Sequence, residues 1–305
     1  MFDKTKLAAS SSGRPPAAVE LAPEGVLAAA LAGASTASQG LAYAFAPLAP
    51  GALVPGLAEP NLRAPESVAA AIRSALAQVA PRSHAVTLIL PDTLVRVFML
   101  DFDSLPAKPA EALSVVRFRL RKMAPFDVEP AGVSFQVLAR GDAECKTIAA
   151  VIPGPILAEY EAAVRAAGYE PGAVLSSSLA ALEAAGSMEG MLAANLSANS
   201  ITTAIASGQN LLLYRTLDLP ADALLRAAEI GRSIAVAAAY FEDKLGAPPQ
   251  RLYYAGIEDP SQFARTVGNP AIPIVEWADR PSEGALAALP QTSFAGVQGA
   301  LAGVS

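Results

Sequence analysis

Residues 112–139 read ALSVVRFRLRKMAPFDVEPAGVSFQVLA. Leu113, Val116, Leu120 and Met123 recur at intervals of three and four, the spacing of one helix face. A helix is therefore expected from about Ala110 to Met123. Pro125 disfavours helical backbone at the residue before it and ends the run. The period then changes. Val133–Ala139 reads as a strand, and Thr147–Ile152 as its partner across the charged turn Arg140–Glu144. Upstream, Ala85–Leu90 and Leu94–Leu100 are apolar runs joined through Pro91-Asp92. Downstream, a helix from about Pro155 to Ala167 is stopped by Gly168.

The same alternation extends to both ends. Residues 1–14 are polar and Ser-rich and are expected to form a flexible tail. Ala17–Leu21 and Gly25–Leu31 read as a hairpin, Leu41–Pro47 as a third strand, and Pro65–Ala80 as a helix with Val68, Ile72, Leu76 and Val79 on one face. A short strand and helix follow Gly168. The second half repeats the pattern with three strands (191–196, 200–207, 211–217), a helix from about Ala221 to Leu245, strands at Arg251–Tyr254 and Ile272–Val275, and a small-residue helix near 293–303. Three strands and a helix, given twice, predict two mixed α/β domains.

Composition bounds the function. With 305 residues, 53% of them apolar, the chain can bury a large core and is not disordered throughout. The net charge of −6 disfavours nucleic acid as a partner. Cys145 and His84 are the only residues of their kinds, which leaves no disulfide framework and no histidine-based zinc site. The start lacks the apolar stretch of a signal peptide, and no apolar run is long enough to span a bilayer. A soluble, intracellular chain is expected. Neither His84, nor Cys145 beside Lys146, nor Asp101 with Asp103 has the neighbours for a catalytic triad or a metal centre. No catalytic or metal-ligating residue is therefore assigned.

Met123-Ala124-Pro125-Phe126-Asp127-Val128-Glu129 and Phe135-Gln136-Val137-Leu138 resemble the PilM-type proteins of type IV pilus assembly, and the cytoplasmic domain of the secretion protein GspL. Ala149–Ile152, Gly168-Tyr169-Glu170-Pro171 and Phe294–Gly303 extend the likeness over roughly residues 16–305. The resemblance implies an α/β, actin-like (ribonuclease H-like) two-domain fold with an extra PilM/FtsA-type subdomain. It assigns 15–180 to the first domain, about 85–153 to its inserted subdomain, 181–290 to the second domain, and 291–305 to a helix returning to the first. The second domain is reduced, because Leu217-Asp218-Leu219-Pro220 passes almost directly into the long helix and leaves no chain for an adenine-side subdomain.

In that superfamily two hairpins and an adenosine loop grip ATP and magnesium, with a carboxylate for the metal and glycine where backbone meets phosphate. The matching positions here are altered. Glu20 and Ala22 stand where Asp and Gly are expected, before Pro23, Glu24 and Gly25. Asn195 and Ser197 replace the second pair, with Thr202 beyond, and only Gly256 remains of a Gly-Gly loop. Plain turn chemistry accounts for the same residues. The resemblance also implies a groove for the cytoplasmic tail of a PilN-like or GspL/GspM-like membrane protein. Its candidate walls are Leu113, Val116, Leu120, Phe126 and Phe135, with Arg117 and Arg121 at the rim. The same apolar residues read equally as an ordinary core. The expectation is a cytoplasmic scaffold without a cofactor, peripheral to the inner membrane through its partner, in contact with other platform or motor components. The alternatives are an ATP- and magnesium-binding PilM-type protein and a small-molecule kinase of the same superfamily.

Overall fold

The computed structural model describes residues 13–31, 40–58, 60–141, 144–184, 188–208, 210–268, 272–278, 292–302 and 304. Most of the expected tail, part of the Arg140–Glu144 turn and Gly303 lie outside them.

Strands β1 (Ala17–Ala22), β2 (Gly25–Leu31) and β3 (Leu41–Pro47) form an antiparallel meander. Helix α1 (Pro65–Val79) follows, then β4 (Ala85–Leu90), which returns parallel to β1. A 3-10 turn at Asp92–Leu94 precedes β5 (Arg96–Phe102), so this strand starts two residues later than its apolar run suggests. Helix α2 (Pro109–Leu120), β6 (Gly132–Arg140) and β7 (Cys145–Ile152) complete a separate three-stranded sheet, ordered β5-β7-β6. Helix α3 (Gly154–Ala166) and β8 (Glu170–Ser176) close the first sheet in the order β3-β2-β1-β4-β8.

Helix α4 (Ser177–Ala184) leads to β9 (Met191–Leu196), β10 (Ser200–Ser207) and β11 (Asn210–Asp218). Helix α5 (Ala223–Leu245), β12 (Leu252–Gly256), α6 (Pro260–Thr266) and β13 (Ile274–Glu276) follow. The second sheet is β11-β10-β9-β12-β13, the order and strand senses of the first. Only 219–222 separates β11 from α5, and Asp222 caps that helix by accepting from Leu224 N–H and Leu225 N–H.

The first sheet is covered on both faces. Val19, Leu21, Leu88 and Leu90 pack with Ile72, Leu76, Ile156 and Tyr160 of α1 and α3. On the other face Ala18, Ala29 and Ile89 meet α4 and helix α7 (Ala295–Ala302) through Ala180, Val297 and Ala300. Two glycines of α7 permit that contact. A Cβ on Gly299 would stand 1.9 Å from the Ala180 carbonyl oxygen, and one on Gly296 would stand 2.4 Å from Glu20 Oε2. The small sheet has its own core, built on Leu100, Val116, Leu120, Val133 and Val151.

Two substitutions test this packing. Gly299→Ala is expected to destabilise by about 1–3 kcal/mol, because backbone rather than a side chain must yield. Ala80, which ends α1, holds φ 47° without being glycine. Ala80→Gly relieves that strain and should stabilise by up to about 1 kcal/mol. Urea unfolding midpoints of both variants provide the check.

Candidate functional site

The two hairpin turns face one another across a cleft between the sheets. The first is the tight Pro23-Glu24 turn, with Ala22 paired to Gly25. Gly25 is required by packing: a Cβ there would stand 2.3 Å from the Phe45 ring. The second turn, 197–199, closes on itself. Ser197 Oγ accepts from Ser200 N–H at 3.1 Å, and Arg226 of α5 donates to the carbonyls of Ser197 (2.9 Å) and Ala198 (2.6 Å).

Between the turns the floor is an internal polar network. Asp92 accepts from Ser178 N–H at 2.9 Å and from Ser178 Oγ. From the second sheet it accepts from Thr202 Oγ1 at 2.9 Å and from Tyr214 OH at 3.2 Å. Burial first, and then Asp92, push the Tyr214 phenol well above its usual range, which keeps it a donor. Asn195 Nδ2 donates to Ser177 Oγ and Ser178 Oγ at 3.2 and 3.0 Å, and Ser177 Oγ donates to Glu20 Oε1 at 2.6 Å. Glu20 Oε2 is buried beneath α7 and makes no hydrogen bond. Burial, opposed by Ser177 and reinforced by Asp92, raises the Glu20 carboxyl to about 7. Burial also raises Glu24.

Of the seven loop positions, Glu20, Ala22, Gly25, Asn195 and Ser197 line the cleft. Thr202 is buried behind it in the Asp92 network. Gly256 holds φ +156°, and a Cβ there would stand 2.7 Å from the Leu196 carbonyl oxygen, so the backbone crossing itself accounts for this glycine. The cavity measures about 80 Å³, against roughly 300–1,000 Å³ for a pocket that engulfs a drug-sized ligand. Glu20, Glu24 and Asp92 line it, and among the described residues no lysine or arginine does. Three carboxyl groups and no base make a poor seat for phosphate. Asp92, Ser177, Ser178 and Tyr214 are absent from the sequence-based site. The Ser176-Ser177-Ser178 run inside an apolar stretch was the one signal that could have marked it.

The groove residues need correction. Val116 and Leu120 are fully buried in the small sheet's core and form no groove wall. Arg117 is not a rim residue, because its Nη1 donates to the carbonyls of Ala131 (3.1 Å), Glu129 (3.2 Å) and Val128, clasping the 128–131 loop to α2. Leu113, Phe126 and Phe135 are half-buried against that core, and Arg121 is exposed and paired with Glu129. Cys145 is buried at the start of β7. Exposed His84 donates from Nδ1 to the Gly168 carbonyl at 3.2 Å. No three-residue metal cluster and no membrane-spanning helix occurs among the described residues.

The comparisons bear on the fold. A solved structure titled PilM-PilN type IV pilus biogenesis complex matches at TM-score 0.70 and 20% identity, covering 96% of this chain and 99% of that one. The chain has a PilM-type fold. That fold is the actin-like α/β architecture expected from the resemblance. The cytoplasmic domain of EpsL, an inner-membrane component of the Vibrio cholerae type II secretion system, matches at 0.48 and 14%, covering 94% of this chain and 92% of that one. A Bacteroides thetaiotaomicron protein with an actin-like ATPase fold matches at 0.48 and 11%, covering 90% and 93%. No protein-family model matches, and no curated protein matches in sequence.

Two outcomes are expected within this PilM-type fold. Between pH 4.5 and about 7 the unfolded chain releases the Glu20 proton while the folded chain keeps it, so this group's contribution to stability falls as pH rises. Glu20→Gln should match wild type near pH 4 and exceed it at pH 8 by up to about 3 kcal/mol, read as the difference in urea unfolding free energy. Arg117→Ala should cost about 1.5–3 kcal/mol through its lost charged hydrogen bonds. Arg121→Ala, on an exposed pair, should cost less than about 1 kcal/mol in the same assay.

Proposed function

We propose that this chain is a non-enzymatic scaffold of an inner-membrane pilus or secretion platform, working in the cytoplasm and binding the tail of a membrane partner. The observation that carries the reading is the Asp92 network. The cleft where an actin-like protein would hold nucleotide has this network for its floor, and the network fastens one sheet to the other. Three carboxyl groups and, among the described residues, no lysine or arginine line the cleft, and Asn195 brings no carboxylate for magnesium. The structure of similar fold is a complex of PilM with PilN, which supports a tail-binding role here.

In this reading the small sheet with α2, within about 85–153, is the docking subdomain. Leu113, Phe126 and Phe135 supply apolar contact and Arg121 lies at the edge, its pairing with Glu129 open to exchange for an acidic group on the tail. Buried apolar area would carry the affinity, at roughly 25 cal/mol per Å² before ordering costs.

Calorimetric titration with ATP and magnesium should show no binding below millimolar concentrations. Tight binding would return the chain to the ATP-binding alternative. Titration with a synthetic peptide of the cytoplasmic tail of a membrane protein encoded beside this gene should saturate. Leu113→Glu should weaken that binding about tenfold or more, as expected for an anchor worth more than about 1.4 kcal/mol. No binding by any such tail would sink the scaffold reading.

A further inference from the structure

The tail reading does not use the outer face of α2. Val115, Phe118 and Arg119 stand at i, i+3 and i+4 of α2 and share one face, and Lys122 lies in the turn that directly follows the helix. Phe118 is 62% exposed, Met123 43% and Val115 37%, a concentration of bare apolar side chains at the end of a twelve-residue helix. Arg119 and Lys122 are exposed and make no ion pair with a described residue. The Arg121 guanidinium lies 5.9 Å from the centre of the Phe118 ring, so charge and aromatic surface are presented together. The one acid of the helix, Glu111, sits at its far end and is held by Lys108 at 2.9 Å.

We propose that this face of α2, with the turn that follows it, rests directly on an anionic lipid bilayer, Phe118 and Met123 entering the headgroup zone while Arg119 and Lys122 meet phosphate. Charge complementarity selects the occupant. The chain as a whole carries −6, so an anionic surface repels it unless it approaches by a basic face. A protein partner would need a cavity shaped around Phe118. A bilayer needs only that apolar tips and long basic side chains share one plane, which this spacing supplies. The contact is weak alone, because few bases take part, and it gains when a partner's tail tethers the chain nearby. It adds a direct contact to the partner-borne membrane association expected from the sequence.

The test is flotation of the full chain, without any partner tail, on vesicles of phosphatidylcholine alone or equimolar with phosphatidylglycerol. Binding is expected only to the anionic vesicles, at low salt, and lost as salt is raised. The Arg119→Glu/Lys122→Glu pair should reduce it about tenfold or more, and Phe118→Ser should reduce it several-fold. All three positions are exposed, so the circular dichroism spectrum should not change. The pair Arg232→Glu/Arg251→Glu makes the same change in net charge elsewhere and should leave binding intact. Equal binding to neutral vesicles, no binding to anionic ones, or equal loss with the control pair would overturn the proposal. So would a face that ignores vesicles yet captures an acidic peptide. Because no tail is present, failure here leaves the tail-binding reading standing, and failure there leaves this one.

Discussion

The carboxyl group of Asp92 accepts hydrogen bonds from both halves of the molecule, and much of the architecture turns on it. It sits in the 3-10 turn that β4 feeds, takes two donors from Ser178 at the start of α4, and takes Thr202 and Tyr214 from the second sheet. A buried carboxyl without donors would be costly, so the two sheets are bound to the geometry that supplies all four. Each carboxyl oxygen accepts one bond from Ser178 and one from the second sheet, so parting the sheets takes a donor from both oxygens at once. The floor of the cleft is thereby a seam of the protein's own hydrogen bonds.

Much of the fold was legible in the sequence because its elements are set by local pattern. The helix face of Leu113, Val116 and Leu120, the stop at Pro125 and the repeated meander all follow from spacing and turn chemistry, and the structure places them close to where those rules do. The departures are local as well. Three residues of 3-10 turn delay β5, and α2 ends at Leu120, short of Met123. The seam was not legible. Asp92 meets partners 86, 110 and 122 residues away, and nothing in an aspartate beside a proline announces such partners.

Arg117 and Arg121 show the limit of face arithmetic. Four residues apart, they share a side of α2, yet one is folded inward against three carbonyls and the other is out in solvent beside Glu129. What separates them is the return of the 128–131 loop, which passes over the helix at Arg117. Spacing assigns a direction to a side chain, and the neighbouring chain decides what it meets.

Helix α7 has a consequence for how the protein is made. It covers the β1 and β2 face of the first sheet, but it follows β2 by about 260 residues. At a synthesis rate of roughly 5–20 residues per second, α7 is made about 13–50 s after β2, and α4 covers only part of that face in the meantime. Until then Ala18, Leu27, Ala29 and Ile89 lack Val297, Ala300 and Leu301, the part of their cover that α7 supplies. The first sheet is therefore completed by the last helix of the chain and not by the segments made beside it.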